Sequence, residues 1–345
     1  MKLQNKFAIG CLVQFYEIEI IKDYLLSVKK SLDEVENKRN VIIDICFNTN
    51  QGLEEIKDGM STGELRERFI EMLNDVFGYI REFNDSGPYD LRFRTHDING
   101  RDYIYTIADY RREFNDEYCE QVDVLMWGES DALIPSQTWE VLDNLHTASI
   151  GNDVHKYVGF FSTCKMWDDT WKVLEHPDFT DKPFIEMDTE NWWSLRYNMN
   201  QQEMDEINNK TEELDIRTTT QLKFNGCGLV ISSDVIKSGA NIPKSVFFVH
   251  EDTAFMNNCL IHFRNQLPQY IIKNILLVHN RKLPNKRMYI KGQDTSDGDM
   301  TKMRKQQYWF PNADKMSQMN AFNTTEQGYT YSWDDVFKEF TNEKI

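Results

Sequence analysis

Short apolar runs alternate along this chain with segments of helical periodicity, and this alternation restricts the fold more than any other feature. Residues 7–13, 41–47 and 122–127 are apolar enough to be buried strands. Amphipathic segments at 19–32 and 61–83 carry apolar residues at helical spacing. Strands that alternate with helices form a mostly parallel sheet with helices on both faces. The sequence therefore predicts an α/β fold of this kind.

The same alternation continues to about residue 280. Further strands are predicted at 91–95, 157–161, 229–231, 246–252 and 270–278, and further helices at about 103–119, after Pro135, at 233–237 and at 253–263. We expect residues 1–290 to form one α/β domain interrupted at 165–220 by a Trp-rich insertion of helices and loops. Residues 291–345 are expected to form a C-terminal extension that packs on this domain.

Charge and cysteine usage exclude several classes of function. The net charge of -17 argues against a broad electrostatic grip on nucleic acid or on an anionic membrane, because such binding requires clustered Lys and Arg. No stretch approaches the roughly 20 apolar residues of a membrane helix, and the N-terminus lacks a signal peptide pattern. The six cysteines are scattered without a C-x-x-C pair. These features predict a cytoplasmic protein with reduced thiols.

Three of the predicted strands end in groups that can bind a cation. Glu129 and Asp131 follow the apolar run at 122–127, Glu251 and Asp252 end the run at 246–252, and His279 follows the run at 270–278. Parallel strands bring their carboxyl ends to one edge of the sheet, where such folds bind ligands. Carboxylates suit Mg²⁺ or Mn²⁺, and Mn²⁺ also accepts imidazole. Taken singly, each group has a simpler interpretation, an acid at a helix start or a histidine that forms a structural hydrogen bond.

The order of these motifs resembles the glycosyltransferase-A fold and, within it, the nucleotide-sugar glycosyltransferases of family 2. Glu129-Ser-Asp131 stands where that fold has its Asp-x-Asp motif, Glu251-Asp252 is similar to its later acidic motif, and His279 to its metal-binding histidine. Residues 10–16 resemble the nucleotide-binding first β-α unit, so the resemblance covers about residues 7–285. It departs from the family pattern in having Glu at the first metal position, and in its second strand.

In that second strand the usual terminal Asp is missing. The strand offers Asp44 within it and Asn48 after it.

The resemblance implies a role for each motif. Asp131 and His279 would hold Mn²⁺ or Mg²⁺, and Glu129 would bind the cation directly or through water, or meet the donor ribose. Asp252 would be the general base of an inverting transfer, and Glu251 would orient the acceptor or the base.

Donor contacts follow from the same resemblance. Arg281 and Lys282 are candidates for the donor phosphates, together with Lys286 and Arg287, although a solvated basic loop is an equal alternative. Apart from the resemblance, the turn Gly226-Cys-Gly228 permits close approach of a ligand to the backbone, and Gly226 is a candidate for donor binding, although a glycine pair before a strand is more often only a turn.

The resemblance predicts a nucleotide-sugar donor, for which we expect a UDP-sugar, and leaves the acceptor open. Enzymes of this fold act on glycans, lipids and proteins. The richness in Asn, Asp, Lys, Met and aromatic residues looks like proteins of large virulent phages, which adds a hydroxymethylated base in phage DNA as an acceptor. Trp192, Trp193 and Trp309 could wedge a flipped base, although local packing is the simpler interpretation of the tryptophans.

Two other functions are consistent with parts of the pattern. A nucleotidyltransferase shares the sheet and the acids, but it would carry a Gly-rich loop with Lys or Arg after the first strand, where this chain has Gln14-Phe-Tyr16. A catalytically inactive module that binds a nucleotide sugar would have no need of the acids and of His279. Binding of UDP that ignores both Mn²⁺ and Asp131→Ala would favour the module.

Overall fold

The computed structural model of the chain describes residues 1–14, 17–18, 20–48, 62–96, 105–163, 200–219, 222, 225–246, 249–279, 315–317 and 319–320. Within these ranges, the strands are β1 (Phe7–Gln14), β2 (Val41–Asn48), β3 (Asp90–His96), β4 (Val124–Trp127), β5 (Val158–Thr163), β6 (Ile216–Thr219), β7 (Val230–Ser232) and β8 (Gln269–Leu277). The α-helices are α1 (Ile21–Ser31), α2 (Thr62–Asp85), α3 (Ile107–Tyr118), α4 (Thr138–Gly151), α5 (Gln201–Asn208), α6 (Ser233–Lys237) and α7 (Glu251–His262). A 3-10 turn at Lys38–Asn40 precedes β2.

All eight of these strands belong to one sheet, in the order β3-β2-β1-β4-β7-β5-β8-β6. Strands β1 to β4 are parallel to one another, and β5 is parallel to β8. Strand β7 runs antiparallel between β4 and β5, and β6 runs antiparallel at the edge beside β8. The sheet therefore has the mostly parallel form that the sequence predicts.

Helices cover both faces of the sheet, because every central strand is apolar on both sides. In β1, Phe7 and Ile9 point into one core with residues of α1, α2 and α4. Ala8 and Leu12 point into a second core with residues of α3, α6 and α7. Burial on both faces explains why these strands read as continuous apolar runs. The predicted fold class, an α/β sheet with helices on both faces, is confirmed.

The strand order places a topological switch point at the carboxyl ends of β1 and β4. Strand β1 has β2 on one side and β4 on the other. The connections that leave β1 and β4 therefore run to opposite sides of the sheet. Open α/β sheets bind ligands at such a switch point. The segment that follows β4 therefore lies at the place where this architecture favours a site.

The strand predicted at 246–252 is wrong for the residues of this segment that the structure describes. Glu251 and Asp252 are the first two residues of helix α7. His250 before them has a left-handed backbone with φ of 65°, which ends extended structure and turns the chain into the helix. The two acids suit this position because a helix N-terminus favours negative charge. Their sequence pattern is a helix start, which can be confused with the end of a strand.

The region predicted as an insertion contributes an edge strand to the sheet. Strand β6 pairs with β8, and α5 lies just before it. Residues 164–199, with all four tryptophans of the insertion, lie outside the described residues. Of the C-terminal extension only 315–317 and 319–320 are described, and Asn320 Nδ2 donates to the Ser245 carbonyl over 2.8 Å. Among the described helices, none is both long and apolar enough to cross a membrane.

Candidate functional site

The segment after β4 is fixed by backbone hydrogen bonds to two other strands. Gly128 N–H donates to the Gly10 carbonyl over 2.7 Å, which continues the pairing of β4 with β1. Ala132 N–H donates to the Glu129 carbonyl over 3.0 Å, so residues 129–132 form a turn. Leu133 N–H then donates to the Val278 carbonyl over 2.9 Å. This last bond brings the turn beside the end of β8, where His279 follows.

The two carboxylates of this turn lie next to the His279 imidazole. His279 Nε2 is 2.5 Å from Glu129 Oε2 and 3.7 Å from Asp131 Oδ1. The His279 side chain is 1% exposed, and neither ring nitrogen has a hydrogen-bond partner in hydrogen-bonding geometry. The structure therefore brings together the three residues for which the resemblance implies metal binding.

A buried arginine connects this cluster to helix α7. Arg111 Nη2 donates to Glu129 Oε1 over 2.8 Å, and Arg111 Nη1 donates to Glu251 Oε1. The guanidinium carbon lies 4.7 Å from the centre of the Trp127 ring, at the end of β4. The Trp127 indole is held in turn by a 2.9 Å hydrogen bond from Nε1 to Asn115 Oδ1. Glu129 and Glu251, which lie far apart in the sequence, thus bind the same guanidinium.

Sequence reasoning missed Arg111, although its spacing contains a signal. The buried residues of α3 include Ala108, Arg111, Asn115 and Tyr118, which recur every three or four positions. A charged residue on the buried face of a helix requires a partner of opposite charge in the core. Such a pattern predicts a buried ion pair but does not name the partners.

A glycine-rich turn lies against the other side of the guanidinium. A Cβ atom added to Gly226 would collide with Arg111 Nη1, so this position requires glycine. Gly228 has φ of 71°, and its N–H donates to the Trp127 carbonyl over 2.8 Å. Cys227 N–H donates to Asn225 Oδ1 over 3.1 Å. Gly226 is therefore needed for packing against Arg111, and its predicted role in donor binding stays a prediction.

The same turn places a thiol beside the cluster. Donor atoms of Glu129, Cys227 and His279 all lie within 4.8 Å of one another. Cys227 is buried. The scattered cysteines predicted packed thiols rather than a zinc site, because a lone thiol between two glycines lacks metal-binding spacing.

Glu251 and Asp252 differ in their surroundings at the start of α7. Glu251 is buried against Arg111, and burial raises the pKa of its carboxyl group to about 7 in spite of the opposing effect of the Arg111 charge. Asp252 is half-buried, and its Oδ1 accepts a 2.7 Å hydrogen bond from Thr253 N–H. Of the two acids, Asp252 is the more exposed to solvent.

The polar side chains of Asp44 and Asn48 in β2 form hydrogen bonds with other parts of the fold. Asp44 accepts hydrogen bonds from Tyr110 over 2.8 Å and from Tyr118 over 2.9 Å, and burial raises the pKa of its carboxyl group. Asn48 Nδ2 donates to Gln14 Oε1 over 2.8 Å and to the Tyr105 carbonyl over 2.6 Å. Both carboxylate oxygens of Asp44 are therefore bound to α3. Asp44 does not take the place of the Asp that is usual at the end of the second strand.

Several predicted site residues lie outside the described residues. They are Arg281, Lys282, Lys286 and Arg287, which were expected near the donor phosphates, and Trp192, Trp193 and Trp309, which were expected near a flipped base. Their roles stay predictions.

The chemistry of the donor atoms suits a divalent cation. Adjacent ligands of an octahedral cation at about 2.1 Å lie roughly 3 Å apart. The distances from His279 Nε2 to Glu129 Oε2 and Asp131 Oδ1, 2.5 and 3.7 Å, lie on either side of that value. A buried imidazole without a hydrogen bond is costly unless a ligand occupies it. A cation would satisfy this nitrogen and balance the two carboxylates.

No protein-family model matches the sequence, and no curated protein matches it. Among solved structures, a mannosyltransferase from Pyrobaculum calidifontis in complex with GDP-mannose and Mn²⁺ is similar, with a TM-score of 0.41 and 10% identity over 99% of this chain and 80% of that chain. A 4-diphosphocytidyl-2C-methyl-D-erythritol synthase from Anaerococcus prevotii has a TM-score of 0.32 and 9% identity over 83% of this chain and 95% of that chain. Both are distant likenesses, and neither identifies a function.

Proposed function

We propose that the chain is a metal-dependent glycosyltransferase that moves a sugar from a nucleotide diphosphate donor to an acceptor hydroxyl. One observation carries the proposal: Glu129 contacts both His279 and Arg111, and Arg111 also binds Glu251. The residues suited to hold a cation are thereby joined through Arg111 to the acids at the start of α7, at the switch point of the sheet. The proposed donor is a UDP-sugar.

In this proposal Asp131, His279 and Glu129 hold the cation. Mn²⁺ suits the set better than Mg²⁺, because one of the three ligands is an imidazole. The bound cation supplies positive charge that stabilises the diphosphate leaving group. Arg111 fixes the Glu129 carboxylate from behind, so that Oε1 is occupied and Oε2 faces His279. The chain thus orients one ligand before any donor binds.

The transfer itself requires a base for the acceptor. As the acceptor oxygen bonds to the anomeric carbon, the bond from that carbon to the phosphate oxygen breaks and its electron pair leaves with the diphosphate. The acceptor proton passes to Asp252, whose half-buried carboxylate uses Oδ1 for the Thr253 N–H. Glu251 is bound to Arg111 and is therefore proposed to orient rather than to accept the proton. A direct displacement of this kind inverts the anomeric centre.

The acceptor is proposed to be a hydroxyl of a glycan or of a hydroxymethylated base in phage DNA. Incubation of the protein with a radiolabelled UDP-sugar and Mn²⁺ distinguishes these two acceptors. One arm contains oligosaccharides, and the other contains DNA with hydroxymethylated pyrimidines. Label that enters only one of the two polymers identifies the class of acceptor.

The proposed function is tested by the release of nucleotide diphosphate from a panel of nucleotide sugars. We expect release that requires Mn²⁺, stops with a chelator, and falls by at least about tenfold in Asp131→Asn. Asp153→Asn is the matched control, because Asp153 is exposed, lies in the turn after α4, and has a side chain that contacts only His155 among the described residues. Release from no donor in the panel would overturn the proposal. Release of pyrophosphate from a nucleoside triphosphate would replace it with nucleotidyl transfer.

A further inference from the structure

The thiol of Cys227 belongs to the same donor cluster as His279 and Glu129. One donor atom from each of the three residues lies within 4.8 Å of the other two. They come from three separate parts of the chain: the turn after β4, the turn before β7 and the residue after β8. The described part of the chain contains no other group of three such side chains.

The backbone of the 225–228 turn holds the thiol in this position. The turn is closed by the hydrogen bond from Cys227 N–H to Asn225 Oδ1 and joined to β4 by the bond from Gly228 N–H to the Trp127 carbonyl. On its other side Gly226 packs against the Arg111 guanidinium. Because each end of the turn is fixed, Cys227 has little freedom to leave the cluster.

His279 provides a second, independent sign of a ligand. Its imidazole is buried, and neither ring nitrogen has a partner in hydrogen-bonding geometry, although Nε2 lies 2.5 Å from Glu129 Oε2. Buried polar atoms without partners are rare, and each one calls for a partner that the protein chain does not supply. A cation bound by Nε2 would be that partner.

We infer that Cys227, His279 and Glu129 form a three-ligand site for a thiophilic divalent cation of the Zn²⁺ and Co²⁺ class. Sulfur, imidazole nitrogen and carboxylate oxygen are the ligands of catalytic zinc sites, which keep a fourth position open. Ligands of a tetrahedral Zn²⁺ lie roughly 3.5 Å apart, so side-chain movements of about 1 Å close the cluster around the cation. A thiolate ligand disfavours Mg²⁺ and Ca²⁺.

This inference rests on the proposed function for the use of the site and refines its cation preference: with Cys227 as a further ligand, the site shared by His279 and Glu129 binds Zn²⁺ or Co²⁺ more tightly than the Mn²⁺ proposed for transfer. Binding is measured without a nucleotide sugar, so it does not depend on sugar transfer. If the unmutated protein shows Mn²⁺-dependent transfer but no sulfur-bound Co²⁺, the inference alone is overturned. An intact signal without transfer overturns only the proposed function.

The test is a titration of the full chain with Co²⁺ in a buffer with a reductant that contains no thiol. We expect one bound Co²⁺ and a sulfur-to-cobalt charge-transfer band in the near ultraviolet. In Cys227→Ser the band is lost, and the affinity for Zn²⁺ falls by at least about tenfold, the lower range for weakened metal sites. Cys259→Ser keeps both properties, since Cys259 is an equally buried thiol in the opposite core. The band in Cys227→Ser, or its absence from the unmutated protein, overturns the inference.

A measurement on the unmutated protein covers the case in which Cys227→Ser fails to fold. X-ray absorption at the zinc edge of the Zn²⁺-loaded protein is expected to show one sulfur neighbour at about 2.3 Å. A shell of nitrogen and oxygen alone would overturn the inference.

Discussion

Arg111 Nη2 donates to Glu129 Oε1 over 2.8 Å at a position where the arginine side chain is only 1% exposed. The same guanidinium donates through Nη1 to Glu251. Glu129 and Glu251, from separate parts of the chain, are therefore both compensated by this one buried guanidinium. The planar fork of arginine suits the geometry, because its two amino groups point in different directions from one plane.

We expect Arg111→Met to destabilise the protein by about 3–5 kcal/mol, the usual cost of removing one partner of a buried ion pair. The reason is that the buried Glu251 and the partly buried Glu129 both lose their compensating charge. Urea unfolding followed by circular dichroism measures the change. Adding Glu251→Gln to Arg111→Met should recover part of the loss, because one of the two uncompensated charges is removed.

The matched control is Arg217→Ala. Arg217 pairs with Asp215 over 3.0 Å at the surface, where ion pairs contribute little. We expect its unfolding midpoint to equal that of the unmutated protein. Equal stabilities of Arg111→Met and Arg217→Ala would show that Arg111 does not compensate the two acids.

Gly226→Ala is expected to disturb the same guanidinium from the other side. The added Cβ collides with Arg111 Nη1, and overpacking of a core costs about 1–3 kcal/mol. Gly78→Ala is the contrasting variant, because nothing lies within 4 Å of a Cβ at this position in the middle of α2. Alanine there should stabilise the protein by about 0.5–1 kcal/mol through its higher helix propensity. Thermal unfolding of both variants should move the midpoint in opposite directions, and a shared direction would refute the packing argument.

The sequence predicts the sheet better than the site because strands and helices leave local periodic patterns. Strand β1 was expected at 7–13 and extends over Phe7–Gln14, and α6 lies at the predicted residues 233–237. Strand β6 was not predicted, because Ile216–Thr219 at the edge of the sheet contains three polar residues, has no buried residue and shows no apolar run. The acids at 251 and 252 were placed at a strand end, since an apolar run followed by acids describes a helix start equally well.

The contacts within the site depend on distances that no local pattern records. Strand order determines that the turn after β4 meets the end of β8, and the sequence does not state strand order. The prediction could name Glu129, Asp131 and His279 only because each follows an apolar run. Arg111 lies inside a helix and Cys227 inside a turn, so neither stands at a strand end. Only their burial and their contacts identify them.

Stability should fall in mild acid because of His146. Burial lowers the pKa of this histidine, whose Nδ1 lies 3.0 Å from the Tyr157 hydroxyl. In the unfolded chain the imidazole takes up a proton at about pH 6.5, which is a higher pH than in the folded protein. The unfolded state then binds more protons, so the stability present above this pKa is lost as the pH falls through the folded pKa.

The free energy of unfolding of His146→Gln, measured by urea titration at several pH values between about 7.5 and 5, should therefore decrease less than that of the unmutated protein. His155→Gln is the control, because His155 is exposed and contacts Asp153 at the surface. Its pH dependence should follow that of the unmutated protein. An unchanged slope in His146→Gln would assign the acid sensitivity to other groups.

Asp252→Asn tests the assignment of the base. Asparagine has the same shape, and its Oδ1 can still accept the hydrogen bond from Thr253 N–H, so the start of α7 is preserved. It cannot take the acceptor proton, and loss of a general base costs about 10²–10⁴ in rate. We expect kcat for sugar transfer to fall by this factor while the KM for the donor changes little. Asp234→Asn, at an equivalent position in the first turn of α6, should keep full activity.

If Asp252→Asn retains kcat within about tenfold, proton transfer cannot depend on this carboxylate, because the loss would fall below the range of general-base catalysis. The acceptor proton would then have to pass to another group, and the division of roles between Glu251 and Asp252 would be reversed or abandoned.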